Sequence, residues 1–121
     1  MIGDPRLLFW DEQLPGGGFQ NLLDFFNGMS GRPRRGQPRD HVRRDIARAD
    51  RDTLAAALRA GSVHMSFLGW ADCRICGAKL GTKDLEGHGF VWPEKAEHYV
   101  LEHDVWTKEC DELLAVLRRK A

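Results

Sequence analysis

A Cys-x2-Cys-Gly turn, followed downstream by two histidines five positions apart, constrains this chain more than any other feature. Cys73-Arg74-Ile75-Cys76-Gly77 places two sulfurs in one tight turn, and the glycine admits a backbone conformation that a side chain resists. Twenty-one residues separate Cys76 from His98, and His103 follows. A turn bearing two thiolates and a helix bearing two imidazoles make the closed tetrahedral shell that structural zinc takes. The expected ligands are Cys73, Cys76, His98 and His103, holding one structural zinc ion. Five positions span roughly 500° on an ideal helix. Both imidazoles therefore reach one metal only if the helix end unwinds near His103, beside Asp104.

The gap from Cys76 to His98 exceeds the ~12 residues of ordinary two-Cys two-His fingers, so the pattern specifies a metal better than a finger class. His88, in Glu86-Gly87-His88-Gly89, reads as a turn residue rather than a ligand. Cys110 reads as a small core residue of the last helix, and His41 and His64 have no partner pattern. Three cysteines make no disulfide framework; in a reducing compartment a close pair serves a metal or redox chemistry. No signal-like start and no apolar run near ~18 residues is present, so a cytoplasmic location is expected.

With 121 residues the chain is near the size of one domain and long enough to bury a core, which a metal then supports rather than replaces. Two parts are expected within one compact domain. Residues 1–61 form an N-terminal helical part with an Arg-rich loop and helix. Residues 62–121 form the zinc module with a C-terminal helix. In the first part, Pro15-Gly16-Gly17-Gly18 is a break, and Phe19 to Asn27 has helical apolar spacing. Asp40 to Ala60 is the clearest helix, with Val42, Ile46, Ala49, Thr53, Ala57 and the flanking Leu54 and Leu58 drawing its apolar stripe. Asp40/Arg44 and Arg48/Asp52 stand at ion-pair spacing on it.

In the second part, Ser62 to Arg74 mixes β-formers and aromatics, and Phe90-Val91-Trp92 is a further short strand. Pro93 opens a helix to about Glu102. Thr107 caps a last helix that turns Cys110, Leu113, Leu114 and Leu117 inward. The predicted fold is α+β and mainly helical, with a ββα-like zinc module packed on the N-terminal helical part. Trp70, Trp92, Trp106 and Tyr99 are the expected small core of that module.

The run Cys73-Arg-Ile-Cys-Gly, then Gly89-Phe-Val-Trp-Pro-Glu, then His98-Tyr-Val-Leu-Glu-His103-Asp-Val resembles a group of short bacterial proteins. Their shared pattern is roughly CRxCG…DGxxxWPEGLAHYVxxHxV, after a helix ending in YLxxG. Ala57-Leu58-Arg59-Ala60-Gly61 stands near that last position, and the resemblance covers about residues 54–106. It implies the same four zinc ligands and carries no activity with it. The chain departs from the pattern at Lys95, where the group tends to have glycine, and at Glu86-Gly87, where Asp-Gly is usual.

The donor set bears on function. Two thiolates and two imidazoles leave no position for water and lower the Lewis acidity of the metal, so catalysis is not expected. A metal-dependent hydrolase would need one histidine to stand off, with Glu97 or Glu102 as base. A nuclease of the His-Asn-His type lacks its Asp-His pair here, and no asparagine follows Asn27. Groove-reading by the finger helix is disfavoured because residues 93–104 hold four acids against one lysine. The formal charge is zero, yet residues 31–60 hold nine arginines against four aspartates. Arg32, Arg34, Arg35, Arg39, Arg43 and Arg44 are thus the alternative, a nucleic-acid contact through phosphates. The favoured reading is a zinc-stabilised binding or adaptor protein whose partner is a protein.

Overall fold

The computed structural model describes residues 6–10 and 36–120. The expected helix at Phe19–Asn27 and three of the arginines, Arg32, Arg34 and Arg35, lie outside the described residues. A short 3-10 turn, Pro38–His41, precedes α1, Arg48–Arg59. Three strands follow: β1 (Ser62–Asp72), β2 (Lys79–Gly87) and β3 (Phe90–Pro93). Then come α2 (Glu97–Glu102) and α3 (Lys108–Lys120). The sheet is antiparallel in the order β1-β2-β3. Among the described residues no helix is long and apolar enough to cross a membrane.

The class is α+β, but the described residues are not mainly helical. Helices of 12, 6 and 13 residues stand beside strands of 11, 9 and 4. Nor is there a separate N-terminal helical layer among the described residues. Leu54 and Leu58 of α1 belong to the same core as Trp92, Tyr99, Val100, Trp106, Leu113 and Leu114. The Trp92 indole N–H donates to the carbonyl of Leu58 at 3.0 Å, binding β3 to the last turn of α1. Gly61 permits that approach, since a Cβ there would stand 2.5 Å from the Trp92 ring.

The helix expected over Asp40–Ala60 begins only at Arg48. Tertiary pairing takes its first part. Val42 bridges Val105, the Arg43 amide donates to the carbonyl of Asp104 (2.9 Å), and the Trp106 amide donates to that of His41 (2.9 Å). Those bonds come with an extended backbone at Val42 (φ −71°, ψ 122°), which a helix cannot supply. The buried stripe is also rotated from the expected one: Arg51, Leu54, Ala55 and Leu58 face inward, while Thr53 is exposed and bonds back to the Ala49 carbonyl. Of the two expected ion pairs, Arg48–Asp52 forms at 3.0 Å, whereas Asp40 instead accepts from the backbone of Gln37.

Strand β2 has no strong sequence signal, since Lys79–Gly87 carries four charges and two glycines. It forms because β1 and β3 pair with it on either side. Helix α2 starts at Glu97 rather than Pro93, because Lys95 adopts a left-handed backbone (φ 61°) that interrupts any helix running from the proline. Position 95 is where the resembled pattern has glycine. Left-handed backbone costs a non-glycine residue roughly 1–2 kcal/mol, and glycine's looser unfolded state returns part of the difference. Lys95→Gly is therefore expected to raise stability by up to about 1 kcal/mol in urea unfolding. A loss of stability would show that Lys95 makes a contact worth more than its backbone strain.

Candidate metal centre

The turn after β1 is built by its own backbone. The Cys73 amide donates to Ala78 at 2.7 Å, and the Gly77 amide donates to Cys73 at 2.8 Å. Gly77 has φ 78°, the left-handed conformation that closes the turn. The Ile75 amide points at the Cys73 sulfur (3.4 Å), which stabilises negative charge there. Cys73 is buried and Cys76 exposed, so the pair reaches from the core to the surface.

The imidazoles come from α2 and its end. His98 lies in the first turn, and the helix stops at Glu102. His103 has left helical geometry (φ −124°, ψ 7°), and Asp104 turns the chain through a left-handed residue (φ 56°). This break brings the two rings together: Nε2 of His103 is 3.2 Å from Nε2 of His98. Nε2 of His98 is in turn 3.3 Å from the sulfur of Cys76. One donor atom from each of Cys73, Cys76, His98 and His103 lies within 4.8 Å of the others, close enough to hold a metal ion. With bonds of about 2.0–2.3 Å to nitrogen and sulfur, a tetrahedral shell has edges of about 3.3–3.8 Å. The two closest contacts match such edges. The donor chemistry fits as well, since four lone pairs converging at these distances are reconciled by a shared cation. Burial, and secondly the charge of His98, push the pKa of His103 down, favouring the neutral imidazole that ligates metal.

Two residues hold this arrangement: Tyr99, expected only as a core aromatic, and Arg51, which sequence reasoning did not single out. The Tyr99 hydroxyl accepts from the Arg74 amide at 3.0 Å, fixing α2 to the turn between the two cysteines. Burial raises the pKa of this phenol, so it stays neutral. Arg51 is buried at 4% exposure, donates to the Val100 carbonyl (3.1 Å) and to the Arg43 carbonyl, and lies over the Trp106 ring. It thereby secures the helix end that delivers His103. A sequence signal existed, because Arg51 sits three and seven positions before Leu54 and Leu58 on one helix face.

The remaining candidates are elsewhere. His88 has φ 54° in the turn between β2 and β3, with Nδ1 3.1 Å from the ammonium of Lys120. His64 meets Glu86 at 2.8 Å, and His41 stacks on Trp10. Cys110 is fully buried, its thiol pushed up to about 11 by burial. Glu97 is not on a solvated face: its carboxylate is 15% exposed and stands 3.9 Å from Arg59. Arg43 pairs with Asp45 (2.8 Å) and Asp111 (3.8 Å), and Arg44 with Asp104 (3.8 Å), while Arg39 is exposed. Of the four aromatics expected in the core, Trp92, Trp106 and Tyr99 are buried. Trp70 is not: it is 60% exposed, with the Lys79 ammonium 5.6 Å from its ring.

No family model matches the chain, and comparisons with curated proteins and with solved structures found no match. The cluster itself yields a direct test. Cys76→Ser and His103→Ala are each expected to abolish stoichiometric metal binding and to lower the unfolding midpoint, because metal binding to a structural site contributes folding free energy. His88→Ala should keep full metal content by mass spectrometry under native conditions. Retention of metal by the Cys76 variant would remove that sulfur from the shell.

Proposed function

We propose that the chain is a zinc-stabilised binding module with no chemistry of its own, and that it belongs with the short bacterial proteins whose pattern it resembles. The observation that carries the reading is a contrast between its aromatic side chains. Three are packed around the ligand-bearing helix and sheet, whereas Trp70 is exposed on β1 beside Val63, Met65 and Leu68. Exposed aromatic and aliphatic side chains grouped on one strand suit a protein partner.

Zinc is the metal best served by two thiolates and two imidazoles. In the ββα-like unit, the β1–β2 turn supplies the sulfurs and α2 with its end supplies the nitrogens. Four protein ligands leave no position for a water molecule, so the ion braces the fold. Of the two carboxylates that could serve as base, Glu97 stands 3.9 Å from Arg59 and Glu102 is exposed. Contact with nucleic acid through the arginines has less support, since Arg43 and Arg44 face carboxylates that would repel phosphate.

Cobalt substitution tests the closed shell. The expected spectrum is that of a tetrahedral site with two sulfur and two nitrogen ligands, unchanged on adding azide or cyanate. An anion-dependent spectrum, or hydrolytic turnover lost in Glu97→Gln with metal retained, would establish an open catalytic centre instead.

A further inference from the structure

Beside the metal centre, and using none of its four donor residues, the structure holds a cleft of about 480 Å³. It lies where β1 and β2 lose register, between residues 69–72 and 80–84, and residues 8–10 complete its wall. Four aromatic residues line it: Phe9, Trp10, Trp70 and Tyr99. Trp10 and Tyr99 hold each other edge to face, with ring centres 5.4 Å apart. Trp70 is 60% exposed, and the Lys79 ammonium already stands 5.6 Å from its ring. That contact shows the ring attracting a cation.

The charges in the wall are unbalanced. Asp84 is half-buried and Asp72 exposed, and neither carboxylate has a hydrogen bond or ion pair among the described residues. Burial lifts the pKa of Asp84, and His64, which acts against that shift, is held by Glu86 at 2.8 Å. Of the two basic residues in the wall, Arg74 is taken, since its guanidinium donates to the Gln37 side chain at 2.9 Å. Lys83 alternates with Thr82 and Asp84 along β2, so its side chain leaves on the face that the Glu94 carboxylate covers at Gly81. Aromatic faces and unpaired carboxylates remain, and both attract positive charge.

We propose that this cleft binds an alkylated ammonium group, its charge set between the Asp84 carboxylate and the Trp70 ring, its carbon substituents against Phe9, Trp10 and Tyr99. Alkylation matters because an unmodified ammonium brings three N–H donors and an arginine side chain five, which aromatic walls do not satisfy. A methylated nitrogen keeps the charge and replaces those donors with carbon, so it gains both cation–π attraction and apolar burial.

This inference rests on the binding-module reading and names the chemistry that the module takes. Calorimetry and proton–nitrogen correlation spectra of the full zinc-loaded chain test it. The probes are choline as a free cation, a short peptide bearing one trimethyllysine as a partner's side chain, and the uncharged analogue of choline with carbon in place of nitrogen. Choline or the peptide should shift the indole N–H signals of Trp10 and Trp70, and the tighter of the two identifies the source. The carbon analogue and the unmethylated peptide should bind about tenfold more weakly. Asp84→Asn and Trp70→Ala should each weaken binding by about tenfold at unchanged zinc content. Equal binding of the carbon analogue, or no shift of either indole with both cations, overturns the cleft assignment and leaves the binding module standing; neither comparison depends on a variant folding. An anion-accessible cobalt site, or a folded chain that takes no zinc, overturns the binding-module reading whatever the cleft holds.

Discussion

Lone pairs at four atoms from two distant stretches of chain are directed into one small volume, and the local geometry is bent to allow it. Two imidazole nitrogens 3.2 Å apart and a sulfur 3.3 Å from one of them are poorly matched as mutual partners. They are well matched around a cation. Much of the surrounding structure follows from delivering them. The α2 helix stops one residue before His103, Asp104 reverses the chain in a left-handed conformation, and the next residues pair with positions 41–43. That pairing shortens α1 at its start. Arg51, reaching from α1 to the Val100 carbonyl and across Trp106, then locks the helix end to the element whose beginning it displaced.

The cluster was legible because its chemistry is local in sequence: two sulfurs in one turn with a left-handed glycine after them, and two imidazoles near one helix end. The required unwinding at His103 was legible too, since five positions on a helix do not share a face. The α1 boundary was not. Residues 40–47 have helical spacing, and nothing in them announces that Asp104 and Val105 will claim their backbone groups. Strand β2 was hidden for a related reason, as its pairing comes from neighbours rather than from its own side chains. The inward stripe of α1 was misassigned because a buried arginine occupies it. Read by hydropathy, Arg51 belongs outside; read by the hydrogen bonds it makes, it belongs beneath Trp106.

Trp70 failed as a core prediction because β1 lies outside the core along its length. Proximity in sequence to Cys73 placed it with the other aromatics, but every side chain of β1 whose burial is described is exposed, on both sides of the register slip between Ser66 and Ala71.

The same strand leads into the candidate metal centre. β1 is tied at its start, where Gly61 lets Trp92 of β3 close against the chain, and at its end, where Asp72 runs directly into the cysteine turn. The Tyr99–Arg74 bond ties the second of these points to α2, and a metal ion held by Cys73, Cys76, His98 and His103 would tie it further. Leu68 and Trp70 lie on the exposed stretch between these two tied points. A surface ordered in advance loses less conformational entropy when a partner covers it, and that saving goes directly into affinity.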